Sequence, residues 1–176
     1  MILWEDFKHK SRCYYNREDF KSIARVIASD GSSAMILYRL VQFFQKIKLG
    51  FLGWIFLKLN KVCNGCVIGR QAEFGPGFVI MHPVGVVING AVKGGRNIVV
   101  ESGVVLGAVR SGIPVECPVL GDDIFLGSGA KVLGKIHVGN HTIIGANSVV
   151  LKDVPEGATV VGIPAQIMKI QTQRGP

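Results

Sequence analysis

Residues 68–104 read IGRQAEFGPGFVIMHPVGVVINGAVKGGRNIVVESGV, and an aliphatic or aromatic side chain returns at every sixth position: Ile68, Phe74, Ile80, Val86, Val92, Ile98 and Val104. A second series follows at Leu120, Leu126, Val132, Val138, Ile144 and Val150. A period of six fits neither the 3.6-residue turn of a helix nor the two-residue alternation of a hairpin, but it fits short strands joined by sharp corners. Gly follows the aliphatic residue at positions 69, 75, 121, 127, 139 and 145, where a corner needs backbone freedom. Four positions after most aliphatic residues stands a small or apolar one, with Arg96 the main exception. Two positions of each hexad can therefore point inward. Three strands close one triangular coil, so the pattern predicts a parallel β-helix of a little over four coils around one continuous core.

The two series are out of phase. Val104 to Leu120 spans ten residues more than one hexad, and the extra stretch, with Arg110, Gly112, Pro114, Glu116, Cys117 and Pro118, is rich in turn formers. Residues 109–118 are therefore expected to leave the prism as a protruding loop, the kind of place where function concentrates on a regular scaffold. Beyond Val150, the stretch Val160-Val161-Gly162-Ile163-Pro164-Ala165 leads into an expected short C-terminal helix from Gln166 to about Gln171 that caps the open end. Ahead of the prism, helical spacing marks residues 16–30, with Asn16 as cap and Ser29-Asp30-Gly31-Ser32-Ser33 as breaker, then Ala34 to about Leu49, and Phe51 to about Val62. The expected division is an N-terminal helical segment over 1–66 and a β-helix domain over 67–176, mainly β in class.

Apolar residues make up 48% of the 176 and charged residues 18%, which excludes wholesale disorder. The net charge of +8 is concentrated in residues 1–66, where 11 basic side chains face 5 acidic ones. Such a patch suits nucleic acid, an anionic membrane or an acidic ligand, and charge alone does not choose. No apolar run approaches the ~18 residues of a membrane span, and the N-terminus does not read as a signal peptide, so a cytoplasmic protein is expected. Four cysteines suggest no disulfide framework. Cys63-x-x-Cys66 is a lone pair without a second pair at zinc spacing and reads as core or turn thiols.

The hexads, the protruding loop and the ending Gly162-Ile163-Pro164-Ala165 resemble the hexapeptide-repeat acyltransferases, over about residues 66–170. Within that family the chain is most similar to serine acetyltransferases and related polysaccharide O-acetyltransferases. The matching stretches are residues 77–88, 127–134 and 144–151, with Leu37-Tyr38-Arg39-Leu40 like the helical region before the prism. The resemblance implies a left-handed β-helix, a homotrimer, and acetyl transfer from acetyl-CoA, as co-substrate, to a hydroxyl or amine without a metal. An acceptor hydroxyl needs a base at neutral pH, and His82 stands at the position of the family's catalytic His. The family's CoA cleft maps onto Gly107, Ala108, Ser128, Gly129, Lys131, Ala146, Lys152 and Pro164, with the two lysines as partners for CoA phosphates. Loop residues Arg110, Glu116 and Cys117 are the candidates to meet the acceptor.

Two departures bear on the chemistry. Where serine acetyltransferases carry an Asp that orients the His, this chain has Val67, which leaves a backbone carbonyl or a carboxylate such as Glu101 to do so. Where their loop presents Arg-His toward the amino acid, it has Glu116-Cys117, and a Glu repels the carboxylate an Arg would bind. The first expectation is therefore O-acetylation of a saccharide hydroxyl in bacterial surface polysaccharide synthesis. Serine O-acetylation for cysteine synthesis and a catalytically weak trimeric scaffold are the alternatives. His82, His137 and His141 occupy different positions within their hexads, which argues against the three-imidazole zinc site of other trimeric prisms. No nucleic-acid partner is expected, while the basic N-terminal helices leave peripheral contact with the inner face of a membrane open.

Overall fold

The computed structural model describes residues 2–109 and 115–170. Helices Ile2–Tyr15 (α1), Phe20–Ile27 (α2), Ser32–Lys46 (α3) and Gly50–Asn64 (α4) come first. Short strands follow: Val67–Ile68 (β1), Glu73–Phe74 (β2), Val79–Ile80 (β3), Val87–Ile88 (β4), Lys93–Gly94 (β5), Val99–Val100 (β6) and Val105–Gly107 (β7). After the loop come Val119–Leu120 (β8), Phe125–Leu126 (β9), Lys131–Leu133 (β10), His137–Val138 (β11), Ile143–Ile144 (β12), Val149–Val150 (β13), Ala158–Val161 (β14) and Gln166–Ile170 (β15). Parallel pairing builds three sheets, β1-β4-β7-β10-β13, β2-β5-β8-β11 and β3-β6-β9-β12-β14, which form the sides of a prism. Four coils are complete, and in the fifth the middle side shrinks to one bridge between Val138 and Val154.

The strand register corrects the phase read from the sequence. Val87 pairs with Val67, Lys93 with Glu73 and Val99 with Val79, each 20 residues apart rather than three hexads. Two residues are thus added in the corner between β3 and β4, the corner that carries His82. Partners on either side of the loop, such as Val105 and Lys131, lie 26 apart, so the second insertion, between Leu106 and Leu120, adds eight residues and not ten. The first insertion escaped notice because positions two apart both face the axis. Val86 and Ile88, like Ile98 and Val100, are all fully buried, so a two-residue shift exchanges one inward position for the other and leaves the sixfold count of aliphatics intact.

The open end of the first coil is sealed by aromatic rings. Phe74 and Phe78 stack at 4.2 Å between centroids, and Tyr38 of α3 meets Phe78 edge-on at 5.2 Å. The Tyr38 hydroxyl donates to the Ala72 carbonyl at 3.0 Å. Arg39 donates to the Phe74 and Gly75 carbonyls at 2.9 and 2.7 Å and to the Asp6 carboxylate of α1 at 2.7 and 2.9 Å. Asp6 in turn accepts from the Gly77 and Phe78 amides at 2.8 and 3.0 Å. A buried polar knot therefore stitches α1 and α3 to the first coil, with none of its buried side-chain polar atoms left without a partner, as burial requires.

Two expectations at the termini are revised. Residues 2–15, ahead of the first expected helix, form α1, and the helix expected over 16–30 is confined to Phe20–Ile27, capped by Asp19, whose carboxylate accepts from the Ser22 amide at 2.7 Å. The C-terminal segment is not a helix but the strand β15, antiparallel to β14, with Val161 opposite Gln166 and Ala158 opposite Ile170. Gly162 and Pro164 turn the chain back onto β14, whose unpaired edge offers a full set of amides and carbonyls. The edge is covered as expected, by a strand.

Candidate active site

His82 lies in the two-residue insertion between β3 and β4, on the edge of the prism where the third sheet passes into the first. Along that edge Gly85, Gly103, Gly129 and Asn147 stack with left-handed backbone, φ +76°, +67°, +72° and +56°. Each coil hands an amide to the one before: Gly85 to the Gly65 carbonyl at 3.1 Å, Gly103 to Val84 at 3.0 Å, Gly129 to Ser102 at 2.7 Å and Asn147 to Ser128 at 2.8 Å. Small residues keep this edge low, so a long ligand can lie against the backbone.

The His82 ring is held by a residue that sequence reasoning missed. Nδ1 lies 2.8 Å from Asp30 Oδ2, whereas Glu101 and a backbone carbonyl were the expected partners. A carboxylate on Nδ1 fixes the tautomer with the proton there and leaves the Nε2 lone pair to accept a proton. Both side chains are more than half exposed, so the pair adds about 0–1 kcal/mol to folding. Its consequence is orientation. Asp30 is held in turn by its surroundings: buried Lys10 of α1 donates to the Asp30 carbonyl and, at 2.9 Å, to the Ser32 hydroxyl. Burial lowers the Lys10 ammonium from its usual range to about 8. Gly31 has φ +76°, and a Cβ there would run into the Ile80 carbonyl, so the turn after α2 is pressed onto the strand that leads to His82. The sequence showed only a helix breaker at this turn, and nothing in it signals a contact across 52 residues.

The other candidates divide into two groups. Ser128, Gly129 and Ala146 share the His82 edge, two and three coils on, which at ~4.8 Å per coil is ~10–15 Å away. Lys131 begins β10 beside them, its ammonium 3.0 Å from the Gly129 carbonyl. Gly107 and Ala108 lie across the first sheet, where with Val87, Asn89, Val109 and Val115 they line an open groove of about 730 Å³. Lys152 follows β13 in the same corner as Ala108 follows β7, whereas Pro164 stands beside the start of β13, where the Ala165 amide donates to the Val149 carbonyl at 2.9 Å. Within one chain Gly107 and Ala108 do not meet the His82 edge.

Of the loop candidates, Arg110 lies outside the described residues. Glu116 is exposed and lies 3.6 Å from Lys135. Cys117, expected to face the acceptor, is instead buried in the prism core, and burial pushes its thiol up. Cys66 is likewise buried, its thiol pushed up to about 12, while Cys63 is exposed on α4, so the two do not form a pair. His141 occupies a left-handed corner, φ +55°, and lies 3.6 Å from Asp123. Among the described residues no group of three His, Cys, Asp or Glu side chains is placed to hold a metal ion.

Residues 117–152 match the bacterial transferase hexapeptide (six repeats) family. The serine acetyltransferase of Helicobacter pylori (strain J99) is 38% identical over 136 residues, covering 77% of this chain and 80% of that protein. This chain belongs to the serine acetyltransferase family of hexapeptide-repeat transferases. The Bacillus pumilus serine acetyltransferase is 41% identical over 143 residues, covering 81% of this chain and 66% of its own length. The chain thus spans just under two thirds of several of its family relatives. Among solved structures, the Neisseria gonorrhoeae serine acetyltransferase superposes with a TM-score of 0.85 at 26% identity, covering 97% of this chain and 66% of that one. A serine acetyltransferase solved in complex with CoA gives 0.80 at 27% identity, with 94% and 68% covered. The three parallel sheets are consistent with the left-handed β-helix of these family structures.

Proposed function

We propose that the chain is an acetyl-CoA-dependent O-acetyltransferase in which His82 is the base and Asp30 orients it. The observation that carries this reading is the His82–Asp30 pair on the same prism edge as Ser128, Gly129 and Ala146. The acceptor hydroxyl gives its proton to His82 Nε2 while its oxygen attacks the thioester carbonyl carbon. The C–S bond then breaks and the proton passes from His82 to the departing thiolate. A positioned base of this kind supplies ~10²–10⁴ in rate. In the proposal CoA runs from His82 toward the last coil, past Ser128, Gly129, Ala146 and the Pro164 region, while Lys152 lies in the same corner as Ala108. Gly107 and Ala108 face the same cleft only if they come from a neighbouring copy. That requirement supports a homotrimer with its sites between prisms.

L-Serine is the acceptor that the family relatives favour, ahead of the saccharide expected first from the sequence. The saccharide remains the second reading because Glu116, balanced only by an exposed Lys135, offers no cation to an amino-acid carboxylate. The test measures thiol release from acetyl-CoA with L-serine and with a panel of polyols and saccharides. Saturable turnover with serine supports the first reading. Turnover with saccharides alone transfers the conclusion to the second, and release with no acceptor at all removes both.

A further inference from the structure

Helix α4 is apolar on its inner and its outer face alike, with Phe56 stacked on Phe44 of α3 at 5.4 Å between centroids. The residues it buries are Gly53 and Asn60: Gly53 sits against the Val41 carbonyl of α3, and Asn60 donates to the Ala34 carbonyl at 3.2 Å. Its outer face carries Phe51 (66% exposed), Trp54 (53%), Ile55, Leu59 and Val62 (81%). Positions 51, 55, 59 and 62 recur at one helical turn each, so they form a continuous stripe. Packing on the first coil and across a trimer is the simpler way to cover these side chains, and within one chain the first coil leaves them exposed.

The charge around the stripe is of one sign. Between Asp30 and Glu73 there is no acidic residue, while Lys46, Lys48, Lys58 and Lys61 fall within or beside α3 and α4. Lys58 lies over the Trp54 ring at 5.0 Å, with its charge at the margin of the apolar stripe. An aromatic stripe flanked by lysines and free of carboxylates is the pattern of a helix lying in the plane of an anionic interface. A second copy of the same face would bring lysines against lysines, which disfavours a two-fold contact through this stripe. Among the described residues no helix is long and apolar enough to cross a membrane.

We propose that the α3–α4 hairpin docks the protein onto an anionic lipid bilayer through the outer face of α4. The Gly65 carbonyl just after α4 accepts from the Gly85 amide of the His82 corner, so docking holds that corner near the bilayer surface. The test is flotation of the full chain with phosphatidylcholine vesicles and with vesicles about one third phosphatidylglycerol, at about 0.1 M and 0.5 M salt. The chain is expected to float with the anionic vesicles at low salt, about tenfold less with the neutral ones, and less again at high salt. The combined substitution Phe51→Ser, Ile55→Ser and Val62→Ser is expected to abolish flotation with unchanged thiol release and thermal midpoint. Should that variant fail to fold, Lys58→Glu with Lys61→Glu is expected to lose the salt-dependent part on its own. No flotation of the parent chain on anionic vesicles overturns the proposal. So does undiminished binding by a folded variant, or a fall in sedimentation coefficient of the variant in a chain that never binds vesicles, which would make the stripe a self-interface.

Discussion

Removing the Asp6 carboxylate is expected to be among the most costly single changes outside the prism core. Its side chain has no exposed surface and Arg39 very little, so the ion pair is buried. Asp6→Ala takes away both partners of the guanidinium on that side and leaves the Gly77 and Phe78 amides without acceptors. Arg39 keeps the Phe74 and Gly75 carbonyls, yet its charge is no longer compensated. Breaking a buried pair in this way costs about 3–5 kcal/mol. At about 2–4 °C per kcal/mol for a domain of this size, the melting midpoint should fall by roughly 6–20 °C. Replacing both residues, Asp6→Ala with Arg39→Met, removes the orphaned charge and should cost less than the sum of the singles by more than 1 kcal/mol. Urea denaturation of the four proteins at one chain concentration gives the cycle directly. A single-substitution cost below about 1 kcal/mol, or strict additivity, would refute the reasoning and mean that α1 is not tied to the first coil as described.

Two further outcomes follow from the Asp30 turn. Because the His82–Asp30 pair is exposed, Asp30→Asn should change stability by no more than about 1 kcal/mol while lowering kcat about 10- to 100-fold, part of what a positioned base supplies. The KM for acetyl-CoA should be unmoved; an unchanged kcat would separate Asp30 from the chemistry. Lys10 has a folded pKa of about 8 against an ordinary value of 10.5. Between those values the unfolded chain binds more protons, so stability rises with pH, by up to about 3 kcal/mol. Lys10→Met should lack this rise, and parallel pH profiles for the two proteins would contradict it.

The parts of the fold that were legible in the sequence are those built on apolar repetition. The hexads announced the prism, and the apolar spacing of residues 34–49 and 51–62 announced α3 and α4. Helix α1 escaped because the face it buries is largely polar: Asp6, Lys10 and Ser11 lie inward beside Phe7, so hydrophobic periodicity had nothing to register. The insertion at His82 escaped because a two-residue shift preserves an aliphatic count in which both inward positions are filled. The strand β15 was mistaken for a helix because its residues are all exposed and owe their conformation to the edge of β14, a tertiary partner that local composition does not encode. In the candidate site, His82 is marked in the sequence by its flanking residues. Asp30 is not, since its place is fixed by Lys10, Gly31 and Ile80, which come together only in the folded chain. The same long-range placement sets a carboxylate beside His82 although Val67 supplies none.

The central claim is that His82 takes the proton from the acceptor. The most direct measurement is steady-state thiol release by His82→Ala beside the parent chain, using whichever acceptor the screen identifies, with CoA affinity measured on both by calorimetry. The account predicts a fall in kcat of ~10²–10⁴ with CoA affinity unchanged, since His82 lies at the reacting end of the edge and the residues assigned to CoA lie coils away. Turnover within a few-fold of the parent, with the variant folded and CoA bound, would contradict it.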